Sequence, residues 1–142
     1  MPTRNELKKL AHTRLKEAKI LFNNRFYDGA FYLGGYSIEL AFKARICKLL
    51  DIETYLDRGE LSRCFKTHDL NQLLLLSGLE EKLGREIIRD RNFSDNWSIV
   101  CAWDEGYRYH PIGATSRMTT QEFIDAIENP QSGVFTWLKT KW

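Results

Sequence analysis

Apolar and polar positions follow a helical period along nearly the whole chain, and the pattern is longest from Tyr27 to Leu50, YDGAFYLGGYSIELAFKARICKLL. At about 100° per residue, its side chains sort into four stripes. Ala30, Leu33, Leu40, Ala44 and Cys47 form one apolar stripe, with Ser37 among them, and Phe31, Ile38, Phe42, Ile46 and Leu49 form another nearly opposite. Between them runs a polar seam of Tyr32, Tyr36, Glu39 and Lys43. The fourth side carries Gly34 and Ala41, then Arg45 and Lys48 near the end, where cations suit the negative pole of the helix dipole. A helix apolar on two sides is wedged between neighbours rather than laid on a surface.

The same period predicts the other elements. Residues from Asn5 to Asn23 read as an amphipathic helix, with Leu7, Leu10, Ala11, Leu15, Ala18, Leu21 and Phe22 on one face and Lys8, Lys9, Lys16 and Lys19 on the other. So few residues separate it from the central helix that the two are expected to be antiparallel neighbours. The basic face reads first as a solvated one, since Glu6 and Glu17 lie beside it, with nucleic acid as the alternative.

After Leu50 the pattern weakens. A short helix is expected around Thr54–Asp57 within a long connection, and a firmer one starts at Thr67-His68-Asp69-Leu70, capped by Thr67 or Asp69, and runs through LNQLLLL. The next spans about Leu79 to Arg91, with Leu83, Ile87 and Ile88 set against Glu80, Glu81, Arg85 and Arg89. Asp95 is the expected cap of a helix through Trp97, Ile99, Val100, Ala102 and Trp103. Gly106 to Met118 reads as irregular, and Thr119-x-x-Glu122 as a capping box ahead of Phe123, Ile124 and Ile127. Pro130 is expected to open a further helix or to kink one, and Val134 to Trp142 resumes the helical pattern. No stretch alternates long enough to be a strand. The fold class expected is all-α, an antiparallel up-and-down bundle of four to six helices in one domain, residues 1–142.

Composition changes this picture little. Hydrophobic residues at 43% and charged residues at 28% are ordinary for a globular protein. A net charge of +2 does not by itself imply a polyanion partner. The three cysteines, Cys47, Cys64 and Cys101, are odd in number and far apart, which argues against a disulfide framework and for a reducing compartment. No apolar run approaches the roughly 20 residues of a membrane span, and the N-terminus MPTRNELKKL lacks a signal-peptide core, so a cytoplasmic location without membrane association is expected.

Taken together, Ala11, Leu15 and Ala18, then YDGAFYLGGYSIELAFKA, THDLNQLL, and Trp103 followed by Arg108-Tyr109 resemble the HEPN domain (higher eukaryotes and prokaryotes nucleotide-binding). The resemblance runs from about Leu7 to Lys139 and rests on the order and spacing of these pieces. It implies a helical bundle that is usually a homodimer. It also implies one of three roles: a small protein beside a minimal nucleotidyltransferase, a nucleotide-binding domain, or an RNA-cleaving toxin of a toxin–antitoxin pair.

RNA-cleaving members carry an Arg followed by a His after four to six residues and use no metal. Arg63 and His68 match with four residues between, but in mid-chain rather than on a late helix where a dimer would pair two copies. A competing reading makes His68 and Asp69 caps of their helix and leaves Arg63 solvated; the sequence favours it. Arg108-Tyr109-His110 is too tightly spaced for the motif. If cleavage holds, His68 would move protons near neutral pH and Arg63 would meet the phosphate charge.

The seam of the central helix offers a second constellation. Glu39 and Lys43 stand four residues apart in the favourable order. One reading makes the seam the floor of a nucleotide pocket, with Tyr36 stacking a base, Lys43 facing phosphate, and Arg108 and Tyr109 completing the site. The other, favoured reading makes Glu39 and Lys43 a buried salt bridge that fixes bundle register. Cys64-x3-His68 is half of a metal site with no second half, so neither a metal nor a cofactor is expected.

The leading expectation is therefore a non-catalytic nucleotide- or RNA-binding accessory domain. A metal-independent ribonuclease using Arg63 and His68 is second, and a structural dimerisation module is third. The aromatic share of 13% adds to the dimer expectation, with Phe135, Trp137 and Leu138 as the contact face.

Overall fold

The structure, a computed structural model, describes residues 2–56, 58–59 and 62–142. It is all-helical: α1 (Arg4–Asn23), α2 (Tyr27–Leu49), α3 (Ser62–Phe65), α4 (Leu70–Leu76), α5 (Glu80–Arg89), α6 (Arg91–Cys101), a 3-10 helix (Glu105–Tyr109), α7 (Arg117–Glu128) and α8 (Val134–Leu138). Among the described residues there is no strand, only an isolated bridge between Thr3 and Thr54. No helix among them is long and apolar enough to cross a membrane. The eight α-helices among the described residues exceed the four to six expected because α3, α4 and α8 are short pieces of 4, 7 and 5 residues.

A capping box starts α1 one residue earlier than the periodicity suggests. The Thr3 hydroxyl accepts from the Glu6 N–H at 3.2 Å, and the Glu6 carboxylate accepts from the Thr3 N–H at 2.7 Å. Leu7, Ala11, Leu15 and Ala18 are buried along one face. A turn through Arg25, in the left-handed region at φ 66°, leads straight into α2. The start of α1 bonds to the chain just past α2: Arg4 N–H donates to Glu53 C=O at 2.7 Å, and Tyr55 N–H donates to Pro2 C=O at 3.2 Å. With one end joined by the turn and the other by these bonds, α1 and α2 are antiparallel.

Both apolar stripes of α2 are buried, except at their outer members Leu33 and Leu49. Neighbours on all sides account for this: α2 packs on α1, α4, α7, α8 and the 3-10 helix. Its small residues set the closest approaches. A Cβ on Gly34 would lie 3.2 Å from the Phe123 ring, and one on Gly35 would lie 2.2 Å from the Trp103 indole.

Several local expectations are corrected. Thr54 to Leu56 is not helical, and Asp57 lies outside the described residues. Asp90, not Asp95, caps α6; its carboxylate accepts from Phe93 N–H at 3.2 Å and from the Ser132 hydroxyl at 2.8 Å, and its extended backbone separates α5 from α6. Ser116, not Thr119, caps α7, accepting from the Thr119 N–H at 3.1 Å, so the helix begins a turn earlier. Pro130 neither opens nor kinks a helix. Asn129 before it leaves the helical region at ψ 127°, as a residue preceding proline prefers, and its side chain accepts from the N–H groups of Gln131 and Ser132. Ile88 is 88% exposed rather than set against the core. Phe135 and Leu138, assigned above to a dimer contact, are buried within the chain itself.

Candidate functional site

Glu39 sits in the middle of α2 and is 1% exposed, so its charge must be matched inside the protein. One carboxylate oxygen, Oε1, takes both available partners: Lys43 Nζ donates to it at 2.7 Å, and His68 Nδ1 lies 2.9 Å away. The other His68 nitrogen, Nε2, lies 3.3 Å from Glu105 Oε2, and the Arg108 guanidinium approaches that same oxygen to 3.7 Å. Lys43, Glu39, His68, Glu105 and Arg108 thus form one line of alternating basic and acidic side chains from the core to the surface.

Local structure sets His68 in this position. Asp69 alone caps α4, accepting from the N–H groups of Asn71 at 2.8 Å and Gln72 at 3.1 Å, while the Thr67 hydroxyl accepts from the Asp69 N–H. With the cap supplied by its neighbour, His68 ties the start of α4 to α2 and to the 3-10 helix instead. Lys43 is held from the opposite side. Its ammonium lies 5.4 Å from the centroid of the Tyr55 ring, and the Tyr55 hydroxyl donates to the Phe65 carbonyl at 2.6 Å, which fastens α3. Burial pushes the Tyr55 hydroxyl well above its usual pKa.

An aromatic wall stands beside the charged line. Tyr32 and Tyr36 are stacked one helical turn apart with centroids 6.3 Å apart, and Tyr32 also meets Trp103 at 5.9 Å. Burial, and then the charge of Glu39, raise the Tyr36 hydroxyl's pKa, so it stays neutral. Trp103 Nε1 and Glu39 Oε2 are buried and have no hydrogen-bond partner among the described residues. A cleft of about 470 Å³ opens between α4, α6 and the 3-10 helix, with His68, Trp103 and Glu105 in its lining. Asp69 and Asp104 also line it but are occupied as caps, Asp104 accepting from Gly106 N–H at 2.7 Å.

The residues singled out in the sequence are therefore distributed along this seam. Tyr36 and Lys43 lie at its inner end, and the Lys43 side chain is only 13% exposed. Arg108 and Tyr109 lie at its outer end. The Arg108 guanidinium sits 4.9 Å from the Tyr109 ring centroid, and Tyr109 is 77% exposed. The Tyr32 hydroxyl oxygen, as acceptor for its guanidinium, is the largest influence on Arg108 and raises its pKa. Arg63 is elsewhere: it lines a different cleft with Gly59, Ser62 and Lys66, and it forms no hydrogen bond or ion pair among the described residues. Arg63 lines that cleft, whereas His68 lines the one beside Trp103 and Glu105. Cys47, Cys64 and Cys101 are free thiols, and no group of three or more His, Cys, Asp or Glu among the described residues is arranged to hold a metal ion.

Glu105 is the member of the seam that sequence reasoning missed. Its signal was its place beside Trp103 and Arg108, but its partner His68 is 37 positions away and not deducible from local pattern. Comparison with protein-family models, with curated proteins and with solved structures finds no match for this chain.

Proposed function

We propose that this chain is a nucleotide- or RNA-binding accessory domain built on the HEPN plan, without catalysis of its own. On this reading it acts as a homodimer beside a minimal nucleotidyltransferase. The supporting observation is the outer end of the seam, where an exposed guanidinium lies over an exposed tyrosine ring on a tight 3-10 turn. A permanently charged planar fork next to an aromatic face suits a phosphate with its attached base. The glutamates and His68 behind it hold the turn in place on α2.

The same geometry weighs against a nuclease. A histidine with a carboxylate at each nitrogen is tied up as a structural link, and Arg63 faces a separate cleft. Lys43 neutralises Glu39 rather than facing a ligand, so Arg108 is the cation that meets phosphate. The test is a titration of purified protein with a nucleoside triphosphate and with labelled single-stranded RNA. Binding should weaken with salt and fall about tenfold in Arg108→Ala, the ~1.5 kcal/mol of a bond to a charged group. Lys16→Ala should leave it unchanged. No binding to either probe would overturn the proposal.

A further inference from the structure

A second surface, remote from the seam, gathers cations and aromatic rings. Along α1, Lys8 and His12 are one turn apart, and α8 with the residues after it lies against them. The His12 ring meets Phe135 edge-on at 5.2 Å and Trp142 at 5.4 Å, and Phe135 meets Trp142 at 5.5 Å. A lysine stands over each of three rings: Lys8 over Trp142 at 5.7 Å, Lys139 over Phe135 at 5.5 Å and Lys141 over Trp137 at 5.5 Å. Arg45 fixes the arrangement to the bundle by donating to the carbonyls of Lys141 at 3.0 Å and Ser77 at 3.2 Å.

These charges lack anions. Among the described residues, Lys8, Lys48, Lys139 and Lys141 form no ion pair, whereas Lys19, further along α1, is paired with Glu128 at 3.0 Å. Burial, followed by the positive charges of Arg4 and Lys48, lowers the pKa of Lys8; burial, followed by Lys139, lowers that of His12. The fold therefore holds like charges together at an electrostatic cost that a polyanion would relieve. Asp51 and Glu53 line a cleft with Thr3, Arg4 and Asn5, and among the described residues neither is within ion-pair distance of these lysines.

We infer that the face joining α1 to α8 is a track for the backbone of single-stranded RNA, with Lys8, Lys139 and Lys141 on phosphates and Trp142 stacking a base. The rings decide between polyanions. A lysine over a ring in the free protein turns to a phosphate and leaves the face to a base, which is the pairing that single strands offer. An anionic membrane calls for protruding apolar side chains, but Trp137 and Trp142 are half-buried. An acidic peptide makes no use of flat rings. Lys48 and Tyr32 are 16 positions apart on α2, about 24 Å along its axis, so this track is distinct from the Arg108–Tyr109 turn. The inference rests on the nucleic-acid reading above but not on that turn.

The test uses the full chain and fluorescence anisotropy of a labelled short oligouridine, with uridine triphosphate, phosphatidylserine vesicles and polyglutamate as further probes. Lys8→Ala combined with Lys139→Ala should weaken oligouridine binding about tenfold or more and flatten its salt dependence by about 0.7 per lost phosphate contact, while nucleotide binding holds. Trp142→Ala should weaken oligouridine binding, and Trp142→Phe should restore most of it; melting curves of both exclude a folding defect. Oligouridine affinity in the double variant within about twofold of wild type, with Arg108→Ala still impaired, overturns the track alone. No binding of oligouridine or nucleotide overturns both proposals. Binding to vesicles or polyglutamate without oligouridine overturns RNA as the occupant.

Discussion

His68 Nδ1 lies 2.9 Å from Glu39 Oε1, a carboxylate sealed in the middle of the longest helix. The contact joins residues 29 positions apart and links the start of α4 to the core. With Glu105 on its other nitrogen, the histidine acts as a brace between three elements. A buried charge with one partner removed is far more costly than a buried pair replaced whole.

Glu39→Gln should accordingly lower stability by about 2 kcal/mol, because Lys43 is left half-buried without its counter-charge. His68→Ala should cost about 1 kcal/mol, the scale of a single net hydrogen bond. Chemical denaturation of both variants checks this. An unchanged midpoint in Glu39→Gln would show that the seam carries no structural load.

The close approach of Trp103 to α2 gives a sharper packing test. Gly35→Ala should destabilise by roughly 2 kcal/mol, since its Cβ would overlap the indole and force the ring to move. The tryptophan emission should shift red at the same time. Leu40→Asp, which places an unpaired charge in the core, should prevent folding altogether.

Much of this architecture was legible in the sequence, and the reason is physical. Helical period alone located α1 and α2 to within a residue, because both bury long stripes whose spacing the chain cannot hide. Caps were less legible. Asp95 and Thr119 satisfy local rules as well as Asp90 and Ser116 do, and for α6 a tertiary contact, Ser132 to Asp90, accompanies the cap that formed. The seam's inner half was readable from the Glu39–Lys43 spacing, but Glu105 was not. The pairing of Lys8 with Trp142 was also invisible, since it joins the two ends of the sequence.

Asp28 predicts an acid-sensitive loop. Its carboxylate accepts from Gly113 N–H at 2.7 Å and Thr115 N–H at 2.9 Å, and these bonds, Gly113 foremost, hold its pKa below the usual value. The folded pKa is depressed, so the clamp is fully present above the unfolded value of about 3.9 and is lost as pH falls through the folded one. Amide exchange at Gly113 and Thr115 should accelerate in that acid range relative to the rest of the chain. Asp28→Asn should show fast exchange at neutral pH and remove the acid-dependent step.

The dimer proposal is checked by sedimentation. A homodimer should persist at tens of micromolar, where an interface of ordinary affinity holds. A monomer at that concentration would sink it.

The central claim is binding without cleavage, and one experiment tests it most directly. Purified protein is incubated with labelled single-stranded RNA in the presence of a chelator, and both the bound fraction and the length of the RNA are followed. Intact RNA, bound in a salt-sensitive way and about tenfold more weakly in Arg108→Ala, is the predicted result. RNA cut despite the chelator, with the cutting abolished in both Arg63→Ala and His68→Ala at unchanged melting temperature, would contradict it and make the chain a ribonuclease.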